Sequence, residues 1–262
     1  MPANRPDFML GHEPVGKRPN IRKELGRIRK DPLKPLLKKL GYDGHHITSD
    51  DLNRYVEAYL YYYLSMDRFL TSMSIAARHR RQVKDVVRGG PYTESQRFLA
   101  NQFKKINRFL EFDLANCLIH SRILLDRVAG VAARIIKCNP HPSFMSFSDH
   151  KKFFTKLTVP FGEHEEYANY IRNNTGWFEM PLKTVRDQFI VHSAPKHMHF
   201  MAYPDGGYEI EYLVMRPDAP AGEKPFSKTK VITVNPLRLS FEIEGFLEWF
   251  NDYGMKALVK AA

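Results

Sequence analysis

Apolar residues recur at steps of three and four through residues 50–193 and at steps of two beyond Pro195, so a helical body precedes a β element. Thr48-Ser49-Asp50-Asp51 supplies the short polar side chains that cap a helix start. Leu52, Val56, Tyr59, Leu60, Tyr63, Phe69, Leu70 and Met73 then keep helical spacing, and Gly89-Gly90-Pro91 stops the helix in the high eighties. A second long helix opens at Thr93-Glu94. Its stripe runs Leu99, Phe103, Ile106, Leu110, Leu114, Cys117, Leu124, Val128, Val131 and Ile135, interrupted at Ser121, with no proline before Pro140. The link between the two is too short to do anything but fold them into an antiparallel hairpin. Three shorter helices follow in the pattern. One spans 149–157, capped by Ser148 and closed by Pro160. One begins at Glu163, Glu165 and Glu166, where acidic groups suit the helix dipole, and ends near Thr175-Gly176. The last covers 178–193.

Residues 197–203 read as a strand, and Pro204-Asp205-Gly206-Gly207 turns the chain. Tyr208, Ile210, Tyr212 and Val214 then alternate with Glu209, Glu211, Leu213 and Met215, completing a β-hairpin. Residues 230–234 can pair as a third strand, and a terminal helix starts at Ser240. At the other end, Pro2, Pro6, Pro14, Pro19, Pro32 and Pro35 forbid a long helix before residue 47, although 33–41 can form a short one ending at Gly41. The expected fold is mainly α: an antiparallel long-helix hairpin or bundle with a small C-terminal β-hairpin and a terminal helix. It divides into a basic, Pro/Gly-rich arm (1–47), a helical body (48–195), and a β-hairpin plus helix packed on that body (196–262).

Composition narrows the function classes. No run of the 262 residues approaches the ~20 apolar positions needed to cross a bilayer, and the first twenty residues hold no signal-peptide core. A cytoplasmic chain with no membrane contact is expected. Cys117 and Cys138 lie far apart along a helical pattern, so neither a mutual disulfide nor a thiol metal cluster is expected. The 40 Lys and Arg against 29 Asp and Glu favour a polyanionic partner such as RNA. One basic cluster runs from Lys17 to Lys39. The other holds Arg78, Arg80, Arg81, Lys84 and Arg88, which are the candidate nucleic-acid contacts, although a charge run of this kind is also simply a solvated face. Tyr55, Tyr59, Tyr61, Tyr62 and Tyr63 could stack on bases, but a core stripe with wet hydroxyl tips accounts for them better.

No GxxxxGK[ST], GxGxxG or GxSxG motif occurs. His192, His197 and His199 could together meet a zinc ion, but no carboxylate or cysteine follows at ligand spacing, so no metal or other cofactor is expected. The segment that can carry chemistry is 183–192. At 100° per residue, Phe178, Leu182, Val185 and Phe189 share a narrow stripe, flanked by Arg186 on one side and His192 on the other. A histidine can move the proton of a 2′-hydroxyl, and an arginine can hold charge growing on a phosphoryl group. Twenty arginines and eleven histidines make two or three such pairs by chance, and three occur: Arg5 with His12, Arg134 with His141, Arg186 with His192. Only the third lies inside one amphipathic pattern.

Arg186-Asp187, four further residues and His192 resemble the Arg-polar-(x)n-His motif of the HEPN superfamily, and the long helices before it resemble that superfamily's topology over about residues 49–194. The resemblance implies a helical domain that dimerises so that motifs from two chains share a cleft. It implies catalytic roles: Arg186 as phosphate stabiliser, His192 as general acid or base, and Asp187 as polar orienter, where asparagine is more usual. It further implies a metal-independent endoribonuclease of a toxin or defence system, acting as a homodimer, with an antitoxin as a further protein partner. The alternative is a non-catalytic helical module that binds nucleic acid or a protein. Arg186 closed onto Asp187 or a glutamate would favour the second reading. Two Arg186–His192 pairs meeting across a two-fold axis would favour the first.

Overall fold

The computed structural model describes residues 30–42, 50–84, 93–136, 146–155, 162–187, 196–202, 208–215 and 231–260. Two long helices dominate it, α2 (Asp50–Lys84) and α3 (Glu94–Ile135). Their partners run in opposite directions along the two chains. Asp51 pairs with Arg134 at one end, Tyr61 stacks on His120, the Cys117 thiol donates to the Ser65 carbonyl, and Ser72 donates to Asp113. The hairpin is therefore antiparallel. Thr93 caps α3 in a reciprocal box with Gln96: the Thr93 oxygen accepts from the Gln96 amide, and the Gln96 side chain accepts from the Thr93 amide.

Among the described residues the buried side of the hairpin carries one charge, beside apolar groups and the small polar Ser65 and Ser121. Asp113 is buried there, accepting from Ser72 Oγ at 2.5 Å and pairing with Arg68 Nε at 2.7 Å. Burying a carboxylate is costly unless it is bonded, and both bonds come from the facing helix. Along α3 the burial is uneven. Leu110, Leu114, Leu118, Leu124, Leu125 and Val128 are sealed, whereas no residue before Leu110 is fully buried.

The remaining elements pack mainly against the buried half of α3. The helix α4 (Phe147–Thr155) starts at Ser146, whose Oγ accepts from the Asp149 amide, while Asp126 on α3 accepts from the Phe147 amide at 2.8 Å. Ser148, expected to cap this helix, instead lies buried within its first turn. A carboxylate from α3 takes the free amide there and moves the start back. A 3₁₀ turn, Gly162–His164, leads into α5 (Glu165–Asn174). The regular helix expected over 178–193 is not formed at its start. Residues Phe178–Lys183 make a π stretch with non-helical backbone at Met180, and α6 (Thr184–Arg186) resumes after it. Pro181 is the cause, since its ring excludes helical geometry from the residue before it.

Strands β1 (Lys196–Ala202), β2 (Tyr208–Met215) and β3 (Val231–Val234) form an antiparallel sheet in that order, with Phe200 opposite Ile210 and Tyr212 opposite Val234. Ile210, Tyr212 and Val234 face the core. The terminal helix α7 (Pro236–Lys260) starts four residues earlier than its apolar pattern suggests. Asn235 accepts from the amides of Leu237 and Arg238, and Pro236 takes the first helical position, where no amide is needed. Phe246 and Phe250 of α7 meet Phe147, Phe178 and Tyr167 in an aromatic centre.

Within the arm, α1 (Lys34–Lys39) is docked rather than loose, and Gly41 ends it at φ 94°. Leu33, Leu36 and Leu37 are buried. The Asp31 carboxylate accepts from its own turn at the Leu33 amide and from Tyr55 Oη at 2.7 Å. Tyr59 Oη donates to the Lys30 carbonyl at 3.0 Å. These two tyrosines thus lie in the core as expected, but their hydroxyls hold the arm instead of meeting water. Tyr61 is the exception on that helix, 47% exposed.

Leu36 also explains why residue 254 is glycine: a Cβ there would lie 2.8 Å from both Leu36 methyls and 3.0 Å from Ile135 Cδ1. We expect Gly254→Val to cost about 1–3 kcal/mol through overpacking. The penalty should shrink in a Leu36→Ala background, which vacates the same space. Thermal melts of the two single variants and the double variant measure the coupling, and additive penalties would contradict the contact.

Candidate nucleic-acid interface

Phe178, Leu182 and Val185 are buried, as the stripe expected of this segment requires, and Arg186 stands at its edge. Its guanidinium is turned onto the next residue. Nε donates to Asp187 Oδ1 at 2.8 Å, and Nη2 donates to the same oxygen. The side chains are 28% and 33% exposed, so the pair sits at the surface of the packed body. A carboxylate one residue away neutralises the charge that a phosphate would need, and any anion must compete for the same N–H groups. His192 and Phe189 lie outside the described residues. The structure therefore brings Arg186 and Asp187 together and leaves the third member of the motif unplaced.

Other histidines with chemical potential are walled in. His150 Nε2 is 2.8 Å from Tyr167 Oη, and His164 Nδ1 is 2.6 Å from Tyr253 Oη, all within the core between α4, α5 and α7. Burial pushes the His150 pKa down to about 3, so this ring is a neutral packing element. Burial drives the Cys117 thiol upward, away from thiolate chemistry, and Cys138 is outside the described residues. Among the described residues no group of three or more His, Cys, Asp or Glu could hold a metal ion. His197 and His199 sit two apart on β1, opposite Leu213 and Glu211, and their side chains are not described.

The surface best suited to a polyanion is the hairpin end remote from the Asp51–Arg134 pair. Of the candidate contacts, Arg78 is exposed there. Arg80, Arg81 and Lys84 continue the same helix, with only their backbone described, and Arg88 lies outside the described residues. The Ser72–Asp113 contact sets the antiparallel register and brings Arg78 alongside the turn of α3 that carries Lys104, Lys105 and Arg108. Arg97, Lys104 and Arg108 are exposed and fall within about 40° of one another around α3. None of Arg78, Arg97, Lys104, Lys105 and Arg108 has an acidic partner among the described residues. The α3 cations were not among the expected contacts, because Arg97, Lys104 and Arg108 are spread seven and four apart rather than bunched as residues 78–88 are.

Next to this basic stripe is an exposed apolar one, also unforeseen. Leu60, Tyr61, Leu64 and Ile75 of α2 and Phe98, Phe109, Phe112 and Ile123 of α3 all stand open. Leu60, one of the residues at helical spacing, lies on this open face. The two helices share this face, because Tyr61 stacks on His120 and the Arg68 guanidinium lies 5.5 Å from the Phe112 ring centroid.

No family model, curated protein or solved structure matches the chain. Among the described residues no helix is long and apolar enough to cross a membrane.

Two outcomes follow from this geometry. The Arg186–Asp187 pair is partly solvated, so Arg186→Ala should lower stability by about 1 kcal/mol or less. A much larger loss in a thermal melt would show a buried structural role. The folded His150 pKa lies below its unfolded value near 6.5, so its share of stability is full above that pH and is lost as pH falls toward about 3. His150→Phe should flatten the melting temperature over that window, and an unchanged acid slope would count against it.

Proposed function

We propose that this chain is an HEPN-like helical module that binds RNA without cutting it, through the basic end of its long hairpin. The observation that carries this reading is the set of exposed cations there, Arg78, Arg97, Lys104 and Arg108, with no acidic partner among the described residues. Cations spaced along a helix face can each take a backbone phosphate and release its counterion. Arg186, whose side chain would have to hold phosphate in a nuclease, is occupied by Asp187. That is the arrangement expected of a module that has no catalytic use for its motif.

A second reading keeps the motif catalytic: a metal-independent endoribonuclease of a toxin or defence system, working as a homodimer against an antitoxin. It draws support from the position of Arg186 at the edge of the buried stripe, 28% exposed, where a phosphate could displace Asp187. Arg186 would then hold the phosphoryl charge and His192 would move the proton.

The readings separate in one set of assays on the full chain with a single-stranded RNA. Affinity should fall steeply with salt. The Arg97→Ala, Lys104→Ala, Arg108→Ala triple variant should flatten the log–log slope by about 2, at roughly 0.7 per phosphate contact. Binding that ignores salt, or a triple variant with an unchanged slope, would overturn the electrostatic interface. RNA should stay intact with EDTA present. Cleavage that disappears in both Arg186→Ala and His192→Ala, with their melting temperatures retained, would instead establish the nuclease, since an acid–base group contributes ~10²–10⁴ in rate.

A further inference from the structure

On α3 the open residues Phe98, Phe109, Phe112 and Ile123 are separated by steps of eleven, three and eleven. Eleven residues are close to three full turns, so the four fall within about 60° of one another and form one straight seam. The spacing is also a palindrome. Its centre lies midway between Phe109 and Phe112, and reversing the helix about that point maps the seam onto itself.

From this symmetry we infer that the outer face of the hairpin is the interface between two copies of this chain, with the two α3 helices packed antiparallel about a two-fold axis between Phe109 and Phe112. Such an interface must be self-complementary, with each contact made twice. In this register Phe98 meets Ile123 of the second copy, and Phe109 meets Phe112 of the second copy. A polar position of the seam agrees: Lys105 faces Asn116 of the second copy rather than the other Lys105.

Area points the same way. Half-open side chains of this size each leave roughly 100 Å² to water, so the eight on the two helices present about 800 Å², near what each partner contributes to a stable interface. Leu64 and Ile75, aliphatic and 49% and 46% exposed, suit a helix face better than a nucleic-acid base. The α2 and α3 surfaces form one continuous strip, because Arg68 bridges to Phe112 and Tyr61 to His120. This dimer differs from the one implied by the HEPN resemblance, in which the motif ends meet. It also does not depend on RNA binding: the seam lies about 90° around α3 from the Arg97–Lys104–Arg108 stripe.

The full chain should sediment at twice its monomer mass in the absence of RNA. Phe109→Glu with Phe112→Glu should reduce it to the monomer mass while leaving the circular dichroism unchanged. Both rings are exposed in the single chain, so the substitutions remove no core volume. Register is tested with cysteines. A mixture of Phe98→Cys and Ile123→Cys proteins should yield a covalent heterodimer on oxidation, beyond the background given by the wild-type cysteines. Neither variant should cross-link to itself above that background. A wild-type chain that stays monomeric, with the face covered by its own residues 1–29 or by nothing, would overturn the proposal. So would a dimer that survives the double glutamate variant, or Phe98→Cys linking to itself.

Discussion

Asp113 is a carboxylate with almost no access to water, held between two long helices by groups from the opposite one. Arg68 and Ser72 stand one turn apart, so sliding α3 past α2 by a turn would take Asp113 away from at least one of them and leave a buried carboxylate short of a partner, at a cost of several kcal/mol. An apolar seam alone would tolerate such a slip more readily, since leucines in neighbouring turns are nearly interchangeable. The buried ion thus acts as a register pin, and the rest of the architecture uses the register it sets. Asp126 can start α4 because α3 is fixed in place. Burial raises the Tyr212 hydroxyl pKa in the sheet, and the carboxylates of Glu111 and Asp113 on α3 add to it. The Asp51–Arg134 pair also closes only in this alignment.

The two long helices were legible because their apolar spacing is regular and glycine and proline punctuate it. Parts whose structure depends on distant neighbours were not. Ser146 and Ser148 are equally good cap residues on paper, and the choice between them is made by Asp126, twenty-one residues away. Pro181 was visible inside a supposed helix, yet the apolar stripe through it survives in the fold, because a π stretch restores the phase after the kink. Asn235-Pro236 was readable as a helix start and was passed over for the stronger apolar run behind it. The prolines of the arm showed where a long helix could not form and left the short one at 33–41. Leu33, Leu36 and Leu37 gave no sign of their partners, which lie in α2, α3 and α7.

The candidate site divides in the same way. The residue types at Arg186, Asp187 and His192 suggested phosphate chemistry, but the sequence could not say that the first two would satisfy each other. Nor could it separate the faces of α3. Leu99, Phe103 and Ile106 make one helical series, while Phe98, Lys105, Phe109 and Phe112 make a second in the same stretch. A search for a core stripe finds the first and treats the other as noise. Only burial distinguishes them, by half-covering one series and leaving the other open.

The uneven burial of α3 has a thermodynamic consequence. One continuous backbone ladder of 42 residues joins a half locked into the core to a half with no fully buried side chain. Helix propagation carries order from the locked half outward, but with little tertiary energy to sustain it the free energy of local opening should decline toward residue 94. Amide exchange along this one helix should therefore run from near-global protection to fraying, with no break in secondary structure between the two. Any ligand gripping the weaker half would stabilise that half in proportion to how tightly it binds. The reach of that stiffening down the helix would show how far the grip is felt.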